Sequence, residues 1–331
     1  MAIDWTHAAP SMLAAFLASL VEFVEALTIV LAVGAVRGWR GALAGAGLAL
    51  LVLLVLVAAL GPALTRIPLD LVRLVLGALL LLFGMRWLRK AVLRAAGAIP
   101  LHDEAAAYAR QTAALREAGG SARGWDRIAV STAFKITMIE GVEVVFIVVA
   151  VGASGSGLLV PAGLGAAAAL LAVIGLGVLL HKPVATIPEN TLKFAVGVLL
   201  CAFGTFWVGE GMGSAWPGGD WSIPALNAGF LVAALVAVPL CRSRTPAPVS
   251  PPGAPRKSAT SWLATVWSEL FGLFVDDGRF AAAILLWLAA DWLVLQSLPA
   301  AAPGLLFAGL AIVLAASAAH RARSLARSRA R

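Results

Sequence analysis

The chain has 331 residues, 61% of them hydrophobic and 13% charged, with a mean hydropathy of +0.94, against roughly 45–50% apolar residues in a soluble domain. That composition excludes a soluble enzyme or binding module and predicts an all-α polytopic protein of the lipid bilayer. The net charge of +8 does not call for nucleic acid, because the basic residues gather at the ends of apolar runs and in particular loops, where the positive-inside rule places them.

Residues Met1 to Pro10 carry Asp4 and His7 but no Lys or Arg, so no basic secretory leader is expected and the first apolar segment is expected to be retained. A spanning helix needs about 20 apolar residues. Nine such runs occur, at 10–36, 42–60, 69–88, 128–153, 158–180, 189–209, 224–241, 279–297 and 303–319. Placing the amino terminus outside puts Arg37 and Arg40, Arg86 through Arg127, Lys182, Arg242 through Lys257, Arg279 and the Arg321–Arg331 tail on the cytoplasmic side. Only Arg66 is left in the outside loops, with Arg73 just inside its helix. A plasma-membrane protein of the bacterial inner membrane is expected, with its carboxy terminus cytoplasmic. Cys201 and Cys241 fall within predicted helices far apart in sequence, which indicates neither a disulfide nor a thiolate metal site.

The chain repeats itself. Glu25 to Ala35 aligns without gaps on Glu143 to Ala153 with seven identities in eleven positions. Farther on, Ile67-Pro68 matches Ile187-Pro188, Gly77 matches Gly197, Phe83-Gly84 matches Phe203-Gly204, and Trp87 matches Trp207. The offset is 118 in the first block and 120 in the second, a two-residue loop insertion. Each copy holds three helices, an odd number, so the second copy enters the membrane from the opposite side. Inverted repeats of this kind are a recurring construction of secondary transporters, with the binding site near the midplane.

The expected organisation is a first three-helix repeat (1–94), a cytoplasmic linker with a helix (95–127) and a second, inverted three-helix repeat (128–209). An outer loop and seventh helix follow (210–241), then a Pro-rich linker (242–260) and a carboxy-terminal two-helix membrane module with a basic tail (261–331). Within the first linker, Asp103 caps a helix from Glu104 to about Glu117 that stops at Gly119-Gly120. Ser261 to Val275 reads as an interfacial amphipathic helix bearing Trp262 and Trp267.

Four carboxylates lie deep in this apolar framework: Glu22 and Glu25 on the first helix, Glu140 and Glu143 on the fourth. Residues three apart sit about 60° apart around a helix, so each pair shares one face, and the inverted repeat predicts that the two faces meet. An ionised carboxylate at this depth costs on the order of 3 kcal/mol or more, so protons or a metal cation must neutralise the group. Carboxylate oxygens suit Mg, Ca, Mn or oxidised iron, whereas Cu(I) prefers sulfur. Thr28 and Thr137 offer further oxygens, and Lys135 either partners a carboxylate when metal is absent or snorkels to the interface. The bland alternative is that protonated glutamates hydrogen-bond between helices as polar glue.

Val21-Glu22-Phe23-Val24-Glu25 and Ile139-Glu140-Gly141-Val142-Glu143 resemble the Arg-Glu-x-x-Glu motifs of the oxidase-dependent high-affinity iron permeases, found on the first and fourth of seven helices. Val21 and Ile139 stand at the arginine position, and Phe23 stands at the usual glycine of the first copy. The resemblance implies iron binding by Glu22, Glu25, Glu140 and Glu143, and an oxidase or periplasmic partner. The acidic spacing is also similar to the Glu-x-Gly-Asp-Lys-Thr repeats of the Golgi-type calcium/manganese transporters of the lysine-exporter-like grouping, with Ala26-Leu27 and Val144-Val145 in place of Lys-Thr. Both resemblances cover roughly residues 10–241 and are specific only at the acidic pairs.

Other groups have plainer readings. Glu189, which with Asn190 and Lys193 opens the sixth span, is a first-turn acid favoured by the helix dipole or part of an access path. Glu210 and Asp220 are expected in an outer loop, and Asp291 at an interfacial position of the eighth span. An intramembrane metalloprotease would need histidine beside its glutamates, yet His7, His102, His181 and His320 fall in loops or at helix ends, so no enzyme activity is expected. No Gly-x-x-x-x-Gly-Lys sequence is present, which leaves a gradient or a partner to supply energy. The sequence therefore predicts a permease for a hard metal cation, iron or manganese, with no cofactor beyond the transported ion. A calcium/manganese-proton exchanger, a non-transporting scaffold and a homo-oligomer stay open.

Overall fold

The computed structural model describes residues 5–64, 68–101, 104–117, 126–153, 157–180, 189–242, 272, 275 and 277–329. Among these the regular structure is entirely helical. In chain order come α1 (Trp5–Arg37), α2 (Trp39–Leu64), α3 (Leu69–Ala95), α4 (Glu104–Glu117), α5 (Arg127–Ala153), α6 (Leu159–Leu180) and α7 (Glu189–Gly211). A 3-10 turn (Gly219–Trp221), α8 (Ser222–Cys241), α9 (Gly278–Ser297) and α10 (Ala302–Arg329) complete it. Eight of these helices are long and apolar enough to cross a membrane. The ninth expected span, α5, carries Lys135, Glu140 and Glu143 and falls outside the eight. It is 27 residues long and packs along α1, α2 and α6. An all-α polytopic membrane protein is what the chain folds into.

Several boundaries differ from expectation. Helix α7 continues to Gly211, which puts Glu210 in its last turn rather than in a loop, within reach of Arg73 at 3.5 Å. Helix α10 runs ten residues past the apolar stretch and takes Arg321, Arg323 and Arg327 into its final turns; once nucleated, a helix propagates through residues with no propensity against it. The Pro-rich stretch Thr245–Pro255, most of the surface helix expected over Ser261–Val275, the Asp103 cap, Gly119-Gly120, His102, His181 and Ile187-Pro188 lie outside the described residues.

The chain forms two compact units, residues 1–67 with 102–192 and residues 68–101 with 193–331. Each unit takes helices from both repeats. In the first, α1 lies along α6 and α2 along α5, so the first helix of each repeat packs on the second helix of the other. A Cβ on Gly45 would run into the backbone at Val130 and Phe134, and a Cβ on Gly165 into the backbone at Met12 and Phe16. These contacts are the same contact made twice: Gly165 lies 120 residues beyond Gly45, and Val130 and Phe134 lie 118 beyond Met12 and Phe16. The first unit is thus built with an internal two-fold relation, and glycine is what lets the backbones approach.

Helices α1 and α5 run in opposite directions. Arg37, ending α1, pairs at 2.5 Å with Asp126, which also caps α5 by accepting hydrogen bonds from the backbone N–H groups of Ile128 and Ala129. Burial pushes the Asp126 carboxyl up, but the Arg37 guanidinium and the two N–H donors outweigh it and hold the group below the ordinary value of 3.8. Behind the ion pair, Val30, Ala32 and Val33 of α1 pack with Ala129 and Ala133 of α5, and α4 covers them with Leu115 and Tyr108.

The second unit repeats the logic with α3 and α7. A Cβ would meet Val208 N at 2.9 Å from Gly77, Cys201 N at 2.8 Å from Gly84, Leu81 N at 2.6 Å from Gly204 and Leu88 N at 3.0 Å from Gly197. Each step up α3 is a step down α7, as antiparallel copies demand. The pairs Phe83–Trp87 and Phe203–Trp207 share one geometry, with centroids 4.9 and 5.4 Å apart and planes inclined at 44° in both. Lys193 sits over the Trp87 ring at 5.4 Å. Cys201 and Cys241 are both buried and free.

Substituting Gly204 with valine is expected to destabilise the protein by about 1–3 kcal/mol or more, the usual cost of overpacking. The thermal midpoint of the detergent-solubilised chain reads the change. Gly175→Val, at a site where a Cβ meets nothing within 4 Å, is expected to leave that midpoint unchanged.

At its far end α3 grips the chain ahead of α9. Arg89 pairs with Asp277 at 3.0 Å and lies 4.1 Å from the Phe280 ring centroid, while Arg86 donates to the Gly272 carbonyl. Asp277 also accepts from the backbone N–H groups of Arg279 and Phe280, capping α9. Helix α8 meets α10 through the edge-to-face pair Phe230–Phe307, and Trp287 of α9 donates to the Leu306 carbonyl of α10 at 3.2 Å. Asp291 is 1% exposed, on the buried face of α9 with Ile284 and Leu288. Seven residues beyond Ile284 is two helical turns, which returns Asp291 to the same stripe.

Candidate metal centre

The acidic residues sit where α1 and α5 face each other. Neither helix has a glycine or proline that would kink it near the glutamates, except Gly141, whose missing side chain leaves room for Leu53 of α2. Spacing of three residues then places successive acids about 4.5 Å apart along each axis.

Three of the four glutamates converge. Glu22, Glu140 and Glu143 each bring a carboxylate oxygen to within 4.8 Å of the others, and they are 1%, 8% and 7% exposed. Glu22 Oε1 has no hydrogen-bond partner among the described residues. Glu25 is half-buried, lies one turn along α1 from Glu22 and is not one of the three. The position matching Glu25 in the other repeat, Glu143, is inside it. The site is therefore lopsided although its scaffold is symmetric.

The auxiliary residues divide. Thr137 is buried, and its hydroxyl finds no partner among the described residues. Thr28 is buried but donates to the Val24 carbonyl at 3.0 Å, so its hydrogen is used within its own helix. Lys135 is exposed. One polar residue escaped the reading of the sequence: Ser19 is fully buried, and its hydroxyl also lacks a partner among the described residues. The signal was available, since Ser19 lies 118 residues before Thr137.

Two ionised carboxylates at this separation repel by about 3–4 kcal/mol at an effective dielectric near 20. Three together require a positive species among them. An ion with oxygen ligands at about 2.0–2.6 Å places neighbouring ligand atoms roughly 3–5 Å apart, and the group meets that spacing. Its donors are oxygen only, which suits a hard cation and not a thiophilic one.

Comparison with known proteins leaves these residues to be read on their own chemistry: no family model, no curated protein and no solved structure matches the chain.

Proposed function

We propose that the chain is a secondary-type permease for a hard metal cation, iron or manganese, which crosses through the carboxylate group of Glu22, Glu140 and Glu143. One observation carries this reading: three buried acids from oppositely directed membrane helices lie within 4.8 Å. Acids in such a setting are rare and mark ion pathways. The inverted repeat supplies the symmetry by which a site becomes accessible from either side in turn. In this reading the amino terminus lies outside and the carboxy terminus in the cytoplasm of a bacterial inner membrane. The ion is cargo and the chain is not an enzyme.

The count of charges favours a second version of the same reading. A divalent ion neutralises two of three carboxylates and leaves the third for a proton, so manganese or calcium would move in exchange for, or together with, protons. A trivalent ion would neutralise all three while bound, and protons would take its place as it leaves.

Radiolabelled iron, manganese and calcium offered to proteoliposomes of the full chain test the proposal. Uptake of one of them is expected, falling tenfold or more in Glu22→Gln and Glu140→Gln. A scaffold protein would move none of them. Equal transport by native and variant chains would place the path elsewhere. A pH-sensitive dye inside the vesicles reads the proton movement expected when the ion leaves the acids and protons replace it.

A further inference from the structure

Ser19, Glu22 and Glu25 follow one another at three-residue steps on α1, and Thr137, Glu140 and Glu143 do so on α5. The 118-residue offset maps the first set onto the second, residue for residue. The Arg37–Asp126 pair fixes the antiparallel register of the two helices. Counting back along α1 from Arg37 and forward along α5 from Asp126 sets Glu25 level with Thr137, Glu22 with Glu140, and Ser19 with Glu143, to within one residue. Three levels result, about 4.5 Å apart, each with one residue from either helix.

The carboxylate group occupies only part of this ladder. It takes the central pair and Glu143, leaving Glu25 aside. The two-fold relation that matches Gly45 against Val130 with Gly165 against Met12 turns the set Glu22, Glu140, Glu143 into Glu140, Glu22, Glu25. A conformation with the second set assembled would be the two-fold image of the one seen.

The hydroxyls give an independent sign. Helical Thr28 and Thr205 donate to the carbonyl four residues earlier, at 3.0 and 2.7 Å, which is the ordinary fate of such a group. Ser19 and Thr137, 0% and 7% exposed, find no partner among the described residues. A buried hydroxyl left unmet costs about 1–3 kcal/mol. Here the omission occurs at both repeat-related positions and at the two ends of the acidic ladder, where a bound cation would use the oxygens.

We infer that the ladder contains two overlapping cation sites that share Glu22 and Glu140, one completed by Glu143 and Ser19 and the other by Glu25 and Thr137. The ion crosses by exchanging the first pair of ligands for the second. This inference rests on the permease reading above. It has a chemical merit: Glu22 and Glu140 stay bound throughout, so at no point is the ion stripped of its charged ligands. The Glu143 site lies farther from the Arg37–Asp126 end than the Glu25 site does, and it is the one assembled while that end is closed.

Equilibrium Mn2+ binding to the full chain in detergent, set beside Mn2+ uptake into proteoliposomes, tests the inference. Glu143→Gln is expected to weaken binding by about tenfold or more, and Ser19→Ala by about threefold. Glu25→Gln and Thr137→Val are expected to leave binding within about twofold while lowering uptake at saturating Mn2+ by about tenfold and threefold respectively. If Glu22→Gln leaves both binding and uptake intact, the permease reading itself fails. If Glu22→Gln abolishes both while Glu25→Gln and Glu143→Gln act alike on binding and uptake, one shared site exists and the ladder is wrong. Ser19→Ala and Thr137→Val change so little volume that they decide the matter should a carboxamide variant not fold; hydroxyl variants without effect on either measurement overturn the ladder.

Discussion

Glu22→Gln is expected to make the metal-free protein more heat-stable while lowering cation binding by about a hundredfold. The two effects have one origin. Glu22 is 1% exposed and shares its surroundings with Glu140 and Glu143 within 4.8 Å, and each pair of ionised carboxylates at that distance repels by about 3–4 kcal/mol at an effective dielectric near 20. Glutamine keeps the shape, removes the charge and adds an amide that can donate to a neighbouring carboxylate. In the native chain a cation at one hundred times its dissociation constant should stabilise the fold by about 2.7 kcal/mol, and the variant should lose that increment. Thermal unfolding in detergent at neutral pH, with Mn2+ and after chelation, reads both quantities. The alternative in which Glu22 is polar glue between helices makes the opposite forecast: lower stability without metal, and a native-like response to Mn2+.

The sequence made the acids legible because a charged residue within an apolar run has few explanations, and the repeat because its identities keep order and spacing over two blocks. It also placed Gly77, Gly84, Gly197 and Gly204 in register. What it did not reveal is partnership in space. A run of Ala, Leu and Val says that a helix is lipid-soluble, not which helix it will touch; the crossing of α1 with α6 and of α2 with α5 became visible only through the contacts of Gly45 and Gly165. For the same reason Glu25 and Glu143, equivalent in sequence, differ in place: the repeat is symmetric, and a single conformation of it is not. The depth of Asp291 along its segment was legible, but not its burial, which depends on the angular position around α9 that aligns it with Ile284 and Leu288. Ser19 was overlooked because serine in an apolar helix usually back-bonds to its own turn, and nothing in the sequence announces that this one does not.

Asp126→Ala is expected to release the end of the first unit that Arg37 closes. The Arg37 side chain is 5% exposed, and removing one member of such a pair costs about 3–5 kcal/mol, more than removing both. The double variant Arg37→Ala with Asp126→Ala should therefore be the more stable of the two, by thermal unfolding. Opening is read separately: a cysteine placed at Val33, buried behind the pair with Ala129 and Leu115, should react with a thiol reagent tenfold or more faster once Asp126 is gone. Unchanged labelling would mean that the apolar cluster alone keeps this end shut. The pH dependence has a definite sign. The folded-state value of Asp126 is depressed, so its contribution is fully present above about pH 4 and is lost only as the pH falls through that lower value. Changes in ion movement between pH 5 and 8 therefore do not come from this contact. The repeat gives the contact a further meaning. By the 118-residue offset, the positions matching Arg37 and Asp126 are Gly155 and Ala8. Neither carries a charge. This ion pair is thus one place where the two repeats are not equivalent in sequence.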